Sequence, residues 1–379
     1  MRAWLRDSWH DARSRRGLRR WSTRAVWGWT VLVVLAWLLL VTTSEKFLPA
    51  TLLAYGPRFL MLLPFLVLGP LAAFAARRAL VPLALTLLVV IGPIMGGRLS
   101  LRSAFTGAAT SPPPGAMRVI SYNAGGGATV SRNLRSALDD LRPDVAMLQE
   151  CGSALWDSVQ AMASWYSARA SGTCTLSRWK ITSVDTMPRG DFAAISALGY
   201  GGAGNAVRHL IDTPYGPMVV VNVHLETARK GLYAFLGQNP ALLKVLGIKP
   251  MRSRRVLNAK GTADDRAVIN AEIRDRESAR AAGWALQGNR PIPVIVAGDF
   301  NLPVESTIFR RHWGTFTDAF EASGTGFGWT KREGDLLRIR IDHVLGNAYA
   351  PKPIGTWLGP DLGSDHRPVI ADMAWRSAR

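Results

Sequence analysis

The run Pro293-Val-Ile-Val-Ala-Gly-Asp-Phe-Asn301 brings two side chains able to do chemistry to the end of a buried strand. A short apolar stretch bounded by Pro and Gly reads as an interior strand. Gly298 frees the backbone where it ends, and Asp299 and Asn301, two apart in extended chain, face the same way. Asp299 can orient or deprotonate a water or bind a metal, and the Asn301 amide can hold a nonbridging phosphate oxygen. An Asp and an Asn in an ordinary turn look the same in isolation, so the rest of the chain decides.

Similar residues close other apolar runs. Asn123 ends a strand and meets Gly125-Gly126-Gly127, where backbone can approach a ligand closely. Glu150 closes Val145-Ala-Met-Leu-Gln-Glu150, and a carboxylate at the mouth of a buried strand can bind a hard cation such as Mg2+ through oxygen. His224 closes Met218-Val-Val-Val-Asn-Val-His224, with Glu226 two residues on. Near the C-terminus Ile341-Asp342-His343 ends one strand, and Ser364-Asp365-His366 precedes the last. A neighbouring carboxylate fixes an imidazole's tautomer and raises its basicity, so Asp342 and His366 form a candidate general-base pair if their strands are neighbours. Each residue also has an ordinary alternative: a turn asparagine, a helix-start glutamate, a satisfied core histidine.

These positions need elements to hold them. Strands are expected at Arg118 to Tyr122, Val145 to Leu148, Thr173 to Ser177, Val207 to Asp212, Met218 to His224, Val294 to Ala297, Arg338 to Val344 and Pro368 to Met373. Helices are expected at about Arg132 to Leu141 and Asp264 to Leu286. Many strands with few helices predict an α/β unit of two packed sheets covered by helices rather than a simple alternating barrel.

The set Ser121-Tyr-Asn123, Leu148-Gln-Glu150, Val223-His-Leu225, Gly298-Asp-Phe-Asn301, Ile341-Asp342-His343 and Ser364-Asp-His366 resembles the endonuclease/exonuclease/phosphatase superfamily over about Met117 to Trp375. Deoxyribonucleases, abasic-site endonucleases, neutral sphingomyelinases and inositol polyphosphate 5-phosphatases belong to it. The resemblance implies a four-layer sandwich of two mixed β-sheets flanked by helices, with the site at the sheet edges. It further implies that Asn123 and Glu150 help hold Mg2+, or Mn2+, with Asp365 supporting the metal side. Asp299 would position the attacking water, Asn301 the phosphate and His224 the pentacovalent phosphorus, while Asp342 orients His366 as base. The three glycines after Asn123 depart from the abasic-site enzymes, which argues against carrying over damaged-DNA recognition.

The 379 residues carry a net charge of +19, divided unevenly. Residues 1–110 hold 14 Lys and Arg against 3 acids, and residues 111–379 hold 32 against 24, so the basic excess has two sources. The first is an Arg-rich start, 1–24, followed by apolar runs at Ala25 to Thr43, roughly Phe59 to Ala76 and Ala79 to Met95. These read as three transmembrane helices in a membrane domain, 25–95. A cleaved signal peptide, or a single anchor with an interfacial hairpin, are the competing readings. The first start and the Arg77-Arg78 turn belong in the cytoplasm, so everything after the third span belongs outside. A Pro- and Gly-rich linker, 96–116, leads to the catalytic unit, 117–379.

The second source is Thr227 to Ala263, with eight Lys and Arg, no acid and two apolar patches. It fits either a segment lying on an anionic membrane surface or a solvated loop with a small hydrophobic satellite. The two cysteines, Cys151 and Cys174, form no Cys-x-x-Cys, so a thiolate zinc site is not indicated. In an oxidising compartment neighbouring strands can bridge them, the alternative being two buried thiols. The sequence thus leaves three readings. The first is a membrane-tethered phosphoesterase acting on a lipid-linked phosphodiester, and the second is one acting on DNA or RNA. The third is a binding or sensory protein that keeps the fold without turnover. No protein partner is evident.

Overall fold

The computed structural model describes residues 2–100, 111–125, 128–246, 253–288, 291–334 and 336–375. Most of the expected linker, Gly126 and Gly127, and the middle of the basic insertion lie outside the described residues.

The N-terminal part is a bundle of α1 (Arg2–Thr43), α2 (Leu48–Tyr55), α3 (Leu63–Ala75) and α4 (Leu80–Val89). With the helical turns that flank α3 and α4, it contains three stretches long and apolar enough to cross a membrane: Arg16–Thr43, Arg58–Ala75 and Arg77–Ile94. The Arg-rich start is not a separate segment but the first half of α1. Arg, Leu, Ala and Trp all tolerate helix, and no proline interrupts the chain before Pro49.

Fourteen strands follow among the described residues: β1 (Ala116–Asn123), β2 (Val145–Gln149), β3 (Tyr166–Ala170), β4 (Thr173–Ser177), β5 (Ile181–Thr186), β6 (Asn205–Thr213), β7 (Gly216–His224), β8 (Val294–Asp299), β9 (Thr317–Asp318), β10 (Lys331–Glu333), β11 (Leu337–Ile339), β12 (Asp342–Gly346), β13 (Lys352–Leu358) and β14 (Val369–Ala374). They form two six-stranded sheets, β13-β14-β1-β2-β4-β3 and β5-β6-β7-β8-β12-β9, and a small pair, β10-β11. Both large sheets are mixed, with β1 parallel to β2 and β7 parallel to β8. Three covering helices matter below: α5 (Arg229–Leu236), α6 (Ala263–Ala285) and α7 (Thr307–Trp313).

Alternation along the central strands produces the layers. Met117, Val119, Val145 and Met147 of the first sheet meet Met218, Val220, Ile295 and Ala297 of the second. The opposite face of the first sheet buries Ile120, Tyr122 and Leu148 under Leu134, Leu138 and Leu155. That of the second buries Val219, Val221 and Val296 under Ala281 of α6 and Trp313 of α7. This is the expected four-layer sandwich. One buried polar cross-link fixes the two sheets relative to each other: Gln149 Nε2 donates to Asn222 Oδ1 (2.8 Å), whose own amide donates to the Cys174 carbonyl (3.0 Å).

The single strand expected over Arg338 to Val344 is two. The chain leaves the small sheet at Ile339 and enters the large one at Asp342, and the buried Thr330 hydroxyl accepts the N–H groups of Ile341 (3.1 Å) and Asp342 (3.2 Å) across the break. Cys151 and Cys174 are bridged, with Cα atoms 5.7 Å apart. The antiparallel pairing of β2 and β4, which sets Leu148 opposite Cys174, brings them together. Closing a loop of that length constrains the unfolded chain by ~3 kcal/mol in chain-entropy estimates. Reduction is therefore expected to lower the melting temperature of the full chain in detergent by several degrees. Protein isolated without reductant should resist alkylation at both cysteines, and ready alkylation would remove the bridge.

Among the described residues, the bundle docks on the sandwich through one end. Thr307 of α7 donates its N–H to Ser44 (2.8 Å) and its hydroxyl to Glu45 (3.0 Å), and the Leu48 N–H donates to Asp264 (3.1 Å). Arg58 pairs with Glu305 (3.1 Å) and donates to the Ile94 carbonyl (2.7 Å). Arg98 and Gly326 exchange backbone hydrogen bonds, and Arg98 and Arg340 share Glu321. The basic insertion joins this junction. Its apolar half is not free to lie on a lipid surface: Leu232, Tyr233, Leu236 and Leu243 are buried with Leu48 and Leu52 of α2. This is the satellite reading, with α2 of the N-terminal bundle as one of its walls. Lys244, Arg254 and Arg255 remain exposed.

Candidate active site

Register assembles the site. The parallel pair β7-β8 places His224 opposite Asp299, and the antiparallel pair β8-β12 places Asp342 opposite Asp299. In the other sheet, β1 and β2 align Asn123 with Gln149, one residue before Glu150. His366 sits just before β14, the neighbour of β1. Both sheets thus end their central strands at one rim.

His366 is the centre of a buried network. Its Nδ1 lies 2.8 Å from Asp342 Oδ2, and its Nε2 lies 3.7 Å from Asp299 Oδ2. Asp299, Asp342 and His366 form a compact acid-acid-histidine group. Burial opposes the His366 cation, but the Asp342 and Asp299 carboxylates outweigh it and raise its pKa above the ordinary value. Burial, reinforced by the Asp342 charge, raises that of Asp299. Asp299 Oδ2 accepts from Asn123 Nδ2 (3.0 Å) and lies 3.8 Å from His224 Nε2, while Oδ1 accepts the Asn301 N–H (2.9 Å). The other Asp342 oxygen, Oδ1, is buried without a hydrogen-bond partner.

The remaining predicted residues ring this group. Asn301 adopts a left-handed conformation (φ 52°), and its amide donates to the Leu225 carbonyl (2.9 Å). Glu150 is also left-handed (φ 51°) and stands exposed at the mouth, its Oε1 accepting from Asn123 Nδ2 (3.2 Å). Left-handed non-glycine residues cost about 1–3 kcal/mol and collect at functional sites. Asp365 is half exposed, pairs with Lys331, and lies 3.9 Å from His366 Nε2. All eight predicted residues therefore meet at one rim. The neighbouring His343 does not join them: it faces away, between Asp318 (2.7 Å) and the Leu302 carbonyl (2.8 Å), a satisfied core histidine.

A cleft of about 250 Å³ opens onto this rim, lined by Glu150, His224, Asp299, Asn301 and His366. Leu232, Leu236, Leu337, Ile339 and Ile341 also line it, with the charged Arg229, Lys331 and Glu333 and with Tyr55 of α2. Sequence reasoning missed Tyr55, Lys331 and the support behind His224. There the buried Glu277 accepts the N–H groups of Gly204 (2.8 Å) and Glu226 (2.6 Å), and burial, with Glu226 adding, pushes its carboxyl up to about 7. The Thr262 capping box that opens α6, Glu277's helix, was a readable signal, but nothing local in sequence announces the distant partners.

The donors suit a hard cation. Glu150 offers an exposed carboxylate beside the Asn123 amide and no thiol is available, an oxygen-rich set of the kind Mg2+ or Mn2+ takes with its remaining waters. An acid-oriented histidine, a second buried acid and an asparagine amide around that position can activate water and grip phosphate oxygens.

Comparison with solved structures finds related folds at low identity. TDP2 from D. rerio, complexed with single strand DNA product, is 17% identical, with a TM-score of 0.45 over 68% of this chain and 98% of that one. Sphingomyelinase C from Streptomyces griseocarneus is 16% identical, with a TM-score of 0.44 over 68% and 99%. The human Nocturnin catalytic domain with bound sulfate anion is 12% identical, with a TM-score of 0.46 over 70% and 96%. Comparison with curated proteins gives no match. Residues 120–366 match the Endonuclease/Exonuclease/phosphatase family, a span that includes every predicted site residue. By that match and by its buried Asp-Asp-His group, the chain belongs to the Endonuclease/Exonuclease/phosphatase family and is a metal-dependent hydrolase of phosphate ester bonds.

Proposed function

We propose that the chain is a membrane-tethered, Mg2+-dependent phosphodiesterase, with its catalytic unit outside the cytoplasm and a lipid-linked phosphodiester as substrate. The mixed lining of the cleft carries this reading: the residues suited to phosphate chemistry share it with Leu232, Leu236 and Leu337 and with Ile339 and Ile341. Apolar lining in a phosphate site suits an ester whose alcohol is itself apolar. The two cations at the cleft, Lys331 and Arg229, face carboxylates of Asp365 and Glu333. Among the described residues that line the cleft, these two cations do not form the continuous basic track that follows a nucleic-acid backbone.

Asp342 holds the His366 ring in one orientation, and His366 takes a proton from the attacking water, which Asp299 positions. Asn301 and His224 hold the phosphate oxygens as charge develops on them. Glu150 with Asn123, supported by Asp365, would hold the cation, which supplies charge neutralisation on the phosphate. The placement outside the cytoplasm draws support from the bundle: its docked end is remote from the Arg77-Arg78 turn and the Arg-rich start, which favour the cytoplasm. Arg98, at the docked end, is paired with Glu321.

The full chain in detergent, supplied with phospholipid mixed micelles, single-stranded DNA, RNA and bis(p-nitrophenyl) phosphate, tests this directly. Phospholipid should be cleaved at its phosphodiester, EDTA should abolish turnover, and Mg2+ or Mn2+ should restore it. Cleavage of DNA or RNA with phospholipid untouched would overturn the lipid assignment, and activity that survives chelation would overturn the metal.

A further inference from the structure

We propose that Tyr55, carried by the short helix between the first two spans, is a positioning residue of the phosphoesterase site, so that the site is complete only with the membrane segment docked. The inference rests on the role given above to Asn301 and extends it.

Asn301 is held in its left-handed conformation from three directions. Its N–H goes to Asp299 and its side-chain amide to the Leu225 carbonyl, while its own carbonyl points out of the rim. Two donors meet that carbonyl: Arg274 Nη2 at 3.0 Å and the Tyr55 hydroxyl at 3.3 Å. Arg274 is almost fully buried and also donates through Nε to the Glu226 carbonyl (3.3 Å), two residues after His224. It therefore ties together the two segments that carry His224 and Asn301.

Tyr55 completes this clamp from outside the catalytic unit. Its hydroxyl accepts from Arg274, and its ring lies 5.1 Å from the Arg274 guanidinium. The single hydroxyl proton can go to the Asn301 carbonyl or to Glu45 Oε1, each 3.3 Å away. Glu45 Oε2 already takes the hydroxyls of Ser44 and Thr307. Burial holds the phenol well above its ordinary pKa despite the nearby Arg274, so it remains a neutral donor. Helix α2 is itself fixed, because Ala50, Thr51 and Ala54 are buried and Leu48 and Leu52 belong to the apolar cluster of the insertion.

The test uses the full chain in detergent micelles, with bis(p-nitrophenyl) phosphate and Mg2+ as the probe. Tyr55→Phe keeps the ring and its packing and removes only the hydroxyl. The expected result is a fall in kcat of about 10-fold, the worth of one hydrogen bond, with KM within about twofold and an unchanged melting temperature. Backbone amides of Phe300, Asn301 and Leu302 should exchange faster with deuterium in the variant. Unchanged kcat together with unchanged exchange at these amides overturns the proposal, as does a loss of thermal stability with kcat intact. The exchange measurement decides even where turnover of the probe is slow. Asn301→Ala separates the two levels: if it leaves kcat intact, the catalytic role of Asn301 fails, whatever Tyr55→Phe does to the exchange.

Discussion

Asp299→Ala and His366→Ala should each cost ~100-fold to 10,000-fold in phosphodiester hydrolysis, the range a general base or its partner supplies. The expectation follows from geometry. His366 is the buried imidazole held by an acid through one nitrogen, with the other turned to Asp299. The Asp299 carboxylate is the point where Asn123, the Asn301 N–H and both histidines converge. Alanine at 299 removes the acceptor of the Asn301 N–H and one of the two acceptors of the Asn123 amide, so some loss of stability comes with it. Asp299→Asn keeps the shape and removes the charge, and it should lose nearly as much activity with less loss of stability. Melting curves run beside the kinetics separate the two effects. Parent-like turnover by the folded His366→Ala protein would remove His366 from the chemistry.

Gly298→Ala should be as damaging, by a different route. A Cβ at this position would sit 1.8 Å from the Val223 carbonyl oxygen on the neighbouring strand, and the residue's φ is 153°. No side chain can yield, because the obstacle is backbone. The β7-β8 pair must part where it holds His224 against Asp299. The expected loss reaches the ~4 kcal/mol that marks exceptional single substitutions, and activity should disappear with it. Gly283→Ala makes the contrast. Gly283 lies within α6 with open space around its Cβ position, and alanine there should stabilise by up to ~1 kcal/mol. Equal melting temperatures for the two variants would refute the close-approach argument.

The parts of the fold legible in sequence were those whose residues carry their own signal. β1, β2, β4, β7 and β8 lie inside their sheets, and their buried runs stand out from the polar ends that make the site. The strands not anticipated, β3, β5, β9, β10 and β13, all lie at sheet edges. β5 alternates weakly and is mostly exposed, so neither a buried run nor a clean period marks it. The same difference separates the site residues. Asp299, His366 and their partners end strands, which local pattern reveals. Tyr55 reaches the cleft across 246 positions to Asn301, and Glu277 supports the His224 loop from mid-helix. Those placements depend on how helices pack, which no local spacing encodes. The insertion is a middle case: its apolar patches were visible, and only the fold shows that they face α2.

Strand order carries a consequence for when this molecule becomes an enzyme. The last strand, β14, is not an edge; it lies between β1, the first strand of the catalytic unit, and β13. The first sheet therefore stays open along one side of β1 until the chain has been synthesised through β14. His366 lies immediately before β14, so closure of that sheet and placement of the proposed base occur together. A chain truncated before β14 is therefore expected to leave β1 unpaired along that side and His366 without the strand that holds it at the rim.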